Sequence, residues 1–209
     1  MIIFRIMFLV LALISVACFF VELKAKRRNL GFLVTTALVV ACDGICFGLL
    51  GCKTIESARI FLCTFYICHA WMYFGTLWTM ISMSGNKHFK SYAIPSILIC
   101  LYQASLPASV LFDSRLLRFS KHIFLGRTWW VAEPAKGYSI FFSVPTYHIL
   151  ILISAVIILC VMISGCVRTA KLFRSKYIIL IVAQALFIAL EIASARFLWP
   201  IWIMCFVMN

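Results

Sequence analysis

Six runs of about twenty apolar residues dominate this sequence, and a run of that length is what one α-helix needs to cross the hydrocarbon core of a bilayer. They lie at about 2–21, 30–51, 60–83, 92–112, 144–167 and 177–197. Their interiors hold no Lys or Arg; Arg5 and Arg196 stand near run ends. In lipid the backbone has to satisfy its own N–H and C=O groups, which such runs do as helices. The expected fold is therefore all-α: a polytopic transmembrane helix bundle forming one domain over 1–209. After Arg196 the stretch 198–209 is apolar again but too short to cross a core of roughly 30 Å at about 1.5 Å per residue. It reads as an incomplete or interfacial seventh helix, and the chain as part of something longer.

Composition excludes the alternatives. Hydrophobic residues make up 65% and charged residues 12% of the chain, against roughly 45–50% and 25% in soluble domains. A water-soluble fold cannot hide that much apolar surface. The formal net charge of +13 does not imply nucleic acid, because the basic residues sit between the apolar runs, where they set topology and meet anionic headgroups. Most of the ten cysteines lie inside apolar runs (Cys18, Cys42, Cys46, Cys63, Cys68, Cys100, Cys160) and act there as small hydrophobes. No metal-ligand spacing occurs in a loop, so neither metal nor cofactor is expected.

The first run is a retained helix and not a signal peptide, since it passes Cys18 through Phe19, Phe20 and Val21 into a basic cluster. Lys24, Lys26, Arg27 and Arg28 follow run one, Lys87 and Lys90 follow run three, and Arg168, Lys171, Arg174 and Lys176 follow run five. The positive-inside rule makes links 22–29, 84–91 and 168–176 cytoplasmic and the N-terminus external. The long outer connection, 113–143, also carries basic residues, together with many aromatic rings suited to the headgroup boundary. Within it Arg115, Arg118 and His122, with Lys121 adjacent, recur at helical spacing and predict a short amphipathic helix on the outer leaflet. An anion-binding lid is the rival reading.

Several features together resemble the N-terminal seven-helix sensor region of bacterial membrane histidine kinases and diguanylate cyclases. These are the basic run Lys24-Ala25-Lys26-Arg27-Arg28-Asn29, the outer link opening helix three (Ile55-Glu56-Ser57-Ala58-Arg59-Ile60-Phe61), and Tyr66 early in that helix. The long fourth outer loop, the aromatic start of helix five (Phe141-Phe142-Ser143-Val144-Pro145-Thr146-Tyr147-His148) and the basic inner link 168–176 complete the set. The resemblance covers nearly the whole chain and implies a multi-pass inner-membrane protein. It departs from the family in its incomplete helix seven and in lacking an output module: there is no Gly-Gly dipeptide, hence no GGDEF motif, and no phosphoacceptor-histidine or ATP-binding module. The chain itself is expected to catalyse nothing, any kinase or cyclase activity lying beyond Asn209.

An ionised carboxylate in mid-membrane costs at least about 2.5–3.5 kcal/mol on insertion scales, so Asp43 in run two and Glu191 in run six are expected to face the bundle interior. Asp43 is either a ligand or proton contact or a hydrogen-bonded residue that joins helices; Gly44 and Gly48 beside it form a small-x-x-x-small pattern that favours close approach. Gln184, seven residues before Glu191, shares its face. Tyr66, His69 and Tyr73 fall on one face of run three, as a pocket wall or a pH-sensitive contact. His148 is a weaker candidate. Pro95 and Pro107 bend run four, and Pro145 opens run five. The expected partners are the lipid bilayer, a small-molecule or lipid ligand, and, as one option, a second copy of the chain.

Three functions follow. The first is signal reception, in which a ligand meets polar groups on the outer half of the bundle and shifts helix packing. The second is transport, by a six-helix subunit that binds a small substrate. A membrane-embedded enzyme is the weakest, since H-E-x-x-H, G-x-S-x-G and clustered Asp motifs are all missing.

Overall fold

The computed structural model of the chain describes residues 2–26, 29–83, 89–112, 117–124, 127–134, 144–168 and 174–197. Six helices occupy the six apolar runs: α1 (Ile2–Lys24), α2 (Leu30–Leu49), α3 (Ile55–Met83), α4 (Phe89–Phe112), α5 (Val144–Arg168) and α6 (Arg174–Phe197). Their ends are set by local chemistry. The Asn29 side chain accepts a hydrogen bond from the Phe32 amide at 3.2 Å and so caps α2, while the Glu22 carboxylate accepts one from the Asn29 amide at 2.6 Å. Thr54 caps α3 in the same way, receiving the Ser57 amide at 3.3 Å.

Among the described residues, five helices are long and apolar enough to cross a membrane. α6 itself runs 24 residues, Arg174–Phe197, with Tyr177–Ala193 as the apolar stretch among its described residues. The outward faces carry large aliphatic side chains almost continuously, Ile2, Ile3, Ile6, Leu9 and Leu13 on α1 and Ile178, Ile179, Val182 and Leu186 on α6 among them. Such a surface suits lipid and would aggregate in water. The expected seventh helix over 198–209 lies outside the described residues.

α3 is the hub. It packs against α2, α4 and α5, whereas α1 rests chiefly on α2 and α6 on α5. Where α2 crosses α3 the backbones touch at two glycines: a carbon added to Gly31 would fall 2.5 Å from the Thr79 amide nitrogen, and one added to Gly75 would fall 2.6 Å from the Thr35 hydroxyl. The arrangement is reciprocal, Gly31-x-x-x-Thr35 meeting Gly75-x-x-x-Thr79. Each threonine hydroxyl donates to the glycine carbonyl of its own helix, at 2.9 Å in both cases, so neither leaves an unpaired polar group at the seam. The Gly44/Gly48 pattern is only half used. Gly48 receives the Phe61 ring, but nothing lies within 4 Å of the place a side chain on Gly44 would take.

Over Leu117–Phe124 the connection 113–143 does not form the amphipathic helix read from Arg115, Arg118 and His122; Arg115 lies outside the described residues. Residues Leu117–Phe124 (β1) and Arg127–Pro134 (β2) pair antiparallel, Phe119 opposite Ala132 and Phe124 opposite Arg127. The strand wins because Phe119, Ile123, Thr128, Trp129, Trp130 and Val131 favour a pleated, half-buried surface. Trp129 and Val131 are buried on one face of β2 and Ala132 on the other. The hairpin therefore sits in the end of the bundle rather than on its surface. It is held there by the Trp130 indole N–H, which donates to the Cys52 carbonyl at 3.2 Å, and by Phe4, edge-on to Trp129 at 5.5 Å. Lys121 lies over the Trp130 ring at 4.7 Å.

Gly31→Ala and Gly75→Ala should each destabilise the fold by about 1–3 kcal/mol, the usual cost of overpacking, in equilibrium unfolding from mixed micelles. Gly44→Ala, with open space to fill, should be neutral or gain up to about 1 kcal/mol from helix propensity.

Candidate functional site

The polar side chains singled out in the sequence fall into two adjoining places inside the bundle. Midway along it is an enclosed layer: Asp43 of α2 (0% exposed), His69 of α3 (1%) and Glu191 of α6 (2%) are all removed from the outside. Tyr66 lies within electrostatic reach of Glu191, which links α3 to α6. A hydrogen bond between Cys42 and Cys68 sets the height of Asp43 against α3, one residue from the turn that carries His69.

His69 and Tyr73 are buried and Tyr66 is half-buried, and aromatic rings gather around the imidazole. Phe65 stacks on His69 at 5.6 Å, Tyr73 meets it edge-on at 5.3 Å, and Phe187 of α6 tilts against it at 6.0 Å. Phe187 also packs on Tyr73 at 5.6 Å. This aromatic knot joins α6 to the hub helix. A second tie runs to α5, where the Gln184 amide donates to the Ala155 carbonyl at 3.3 Å.

Below the knot, toward the end remote from the hairpin, α2 and α6 part around a cavity of about 230 Å³ that is partly open to the outside. Tyr73 and Gln184 line it; Asp43, Tyr66, His69 and Glu191 do not. Its walls are mostly apolar, with Phe32, Met72, Met80, Met162 and Phe187 prominent. The hydroxyls of Thr35, Thr76 and Thr79 donate to carbonyls one turn back at 2.9 Å, so these groups present acceptor oxygens rather than free donors. A cavity of 150 Å³ with apolar walls is enough to take benzene; this one accommodates a larger apolar molecule.

Sequence reasoning missed two contributors. Phe187 looks like any lipid-facing apolar residue until α6 is placed against α3. Gln103 of α4 is fully buried, and the signal for it was available: it is the one carboxamide or charged group in run four. Among the described residues no group of three or more His, Cys, Asp or Glu could hold a metal, and none of the nine described cysteines is in a disulfide. The side chain of His148 lies outside the described residues. No protein-family model, curated protein or solved structure matches the chain.

Gln184→Leu should lower stability in mixed-micelle unfolding by about 0.6 kcal/mol, the average for side-chain hydrogen bonds in membrane bundles. Phe187→Ala, which strips one ring from His69 and Tyr73, should cost clearly more.

Proposed function

We propose that this chain is the membrane-embedded signal-reception region of a bacterial signalling protein. The observation that carries the reading is the attachment of α6. This helix meets the hub through the Phe187–His69–Tyr73 knot and packs chiefly on α5, while the cavity separates it from α2. A helix held on one side and free on the other can adopt two packings. A small apolar molecule or lipid with higher affinity for one of them would shift the balance, which is the thermodynamic requirement for reception. The charge pattern of the links supports an external N-terminus and hairpin, with the basic links at the cytoplasmic side. The resemblance to sensor regions of histidine kinases and diguanylate cyclases supports an output module beyond residue 209.

Two measurements test this. A thiol reagent that cannot cross the membrane should reach a cysteine introduced beside Lys136 and not one beside Lys24, each compared with the unaltered chain; labelling of both from one side refutes the topology. The coding sequence after residue 209 should continue into a kinase or cyclase module. A stop codon there sinks the sensor reading and favours a transport subunit.

A further inference from the structure

α4 carries a polar residue at the place where its own backbone is broken. Gln103 is fully buried, and neither the oxygen nor the nitrogen of its carboxamide has a hydrogen-bond partner within the protein. Four residues on is Pro107, inside the same helix. A proline has no N–H, so the carbonyl of residue i−4, here Gln103 itself, cannot receive its helical hydrogen bond. One residue thus presents a donor and two acceptors, from side chain and main chain, in an interior that offers no bulk solvent.

Gln103 is on the face of α4 that meets α3. Cys100, one turn earlier, donates to the Ala70 carbonyl at 3.4 Å and shows which face of α4 meets α3; Val110 further on belongs to the cluster around Ala58 and Leu62. Gln103 lies between these two contacts on an antiparallel neighbour, at the height of the α3 turn that bears Tyr66 and His69. Leaving buried polar groups unsatisfied is costly, and Leu or Met would fill the same volume without that cost. A molecule that both donates and accepts, and is small enough to enter a closed helix seam, removes it.

We infer that the break in α4 at Pro107 is an internal water site, in which bound water bridges the Gln103 carboxamide and the Gln103 main-chain carbonyl. Buried waters of this kind make two to four hydrogen bonds to groups the protein cannot otherwise pair, and in membrane helices ordered water is one of the devices that re-satisfy a backbone freed by proline. The site is separate from the cavity between α2 and α6, whose walls do not include Gln103, and its existence does not depend on the signalling reading.

The chain offers an unusually clean probe, because Gln103 and Gln184 are its only glutamines. In protein selectively labelled with 15N-glutamine and held in deuterated detergent, the two side-chain NH2 groups give two resolvable signals, and Gln184→Leu identifies the Gln103 pair by elimination. Magnetisation transfer from water should appear at the Gln103 NH2 with the sign of a long-lived bound molecule. Its absence overturns the inference. An independent arm replaces the amide with an apolar chain of similar length: Gln103→Met should lower the unfolding midpoint, because the water loses its anchor and the carbonyl its partner. A midpoint unchanged or raised means that the amide is simply unsatisfied, and overturns the inference as well.

Discussion

Two backbones brought into contact at Gly31 and Gly75 govern how everything else in this bundle is arranged. In a bilayer, helices gain nothing by hiding apolar side chains from one another, because the lipid is equally apolar; close packing and hydrogen bonding have to supply the attraction. The reciprocal glycine and threonine pairs of α2 and α3 do this at one seam, with each hydroxyl returned to its own helix. The crossing also sets a register. Once Gly31 meets Thr79, Cys42 falls against Cys68 and Gly48 against Phe61, and Asp43 is carried to the interior. Because α3 also carries α4 and α5, an error at this seam would displace the whole polar layer.

That layer is costly to assemble and chemically closed. Carboxyl groups as deeply enclosed as Asp43 and Glu191 persist in an apolar surrounding only when paired or protonated, and aromatic rings occupy the space around the imidazole between them. The neighbouring cavity has the opposite character: adaptable methionines and phenylalanines, with threonine oxygens already engaged as donors. Polar chemistry and open volume are thus on different sides of the Phe187 knot. A ligand in the cavity would act on the polar layer through that ring and not by touching the carboxyl groups.

Helix positions were legible in the sequence because charge-free runs of membrane-crossing length have few other solutions, and the facing of Tyr66, His69 and Tyr73 followed from helical periodicity alone. The errors share one cause. The spacing of Arg115, Arg118 and His122 fits a helix as arithmetic, but the rings and β-branched residues between them fit a strand better, and only pairing with residues 127–134 decides it. Gly44 and Gly48 stood out as neighbours in sequence, while the glycines that meet are more than forty positions apart. Gln103 was overlooked for a related reason: its significance depends on Pro107, on the same helix, and on burial that the other helices provide.

The hairpin ties the start of α1, the α2–α3 link, α3 and α5 together at one end of the bundle, with β2 gripped on both faces. Helices clasped in this way behave like the ribs of a folding fan. Small changes of tilt near the clasp become larger lateral excursions at the far tips, where the links to the aqueous side lie. A disturbance too slight to open the clasped end can therefore still spread the opposite ends.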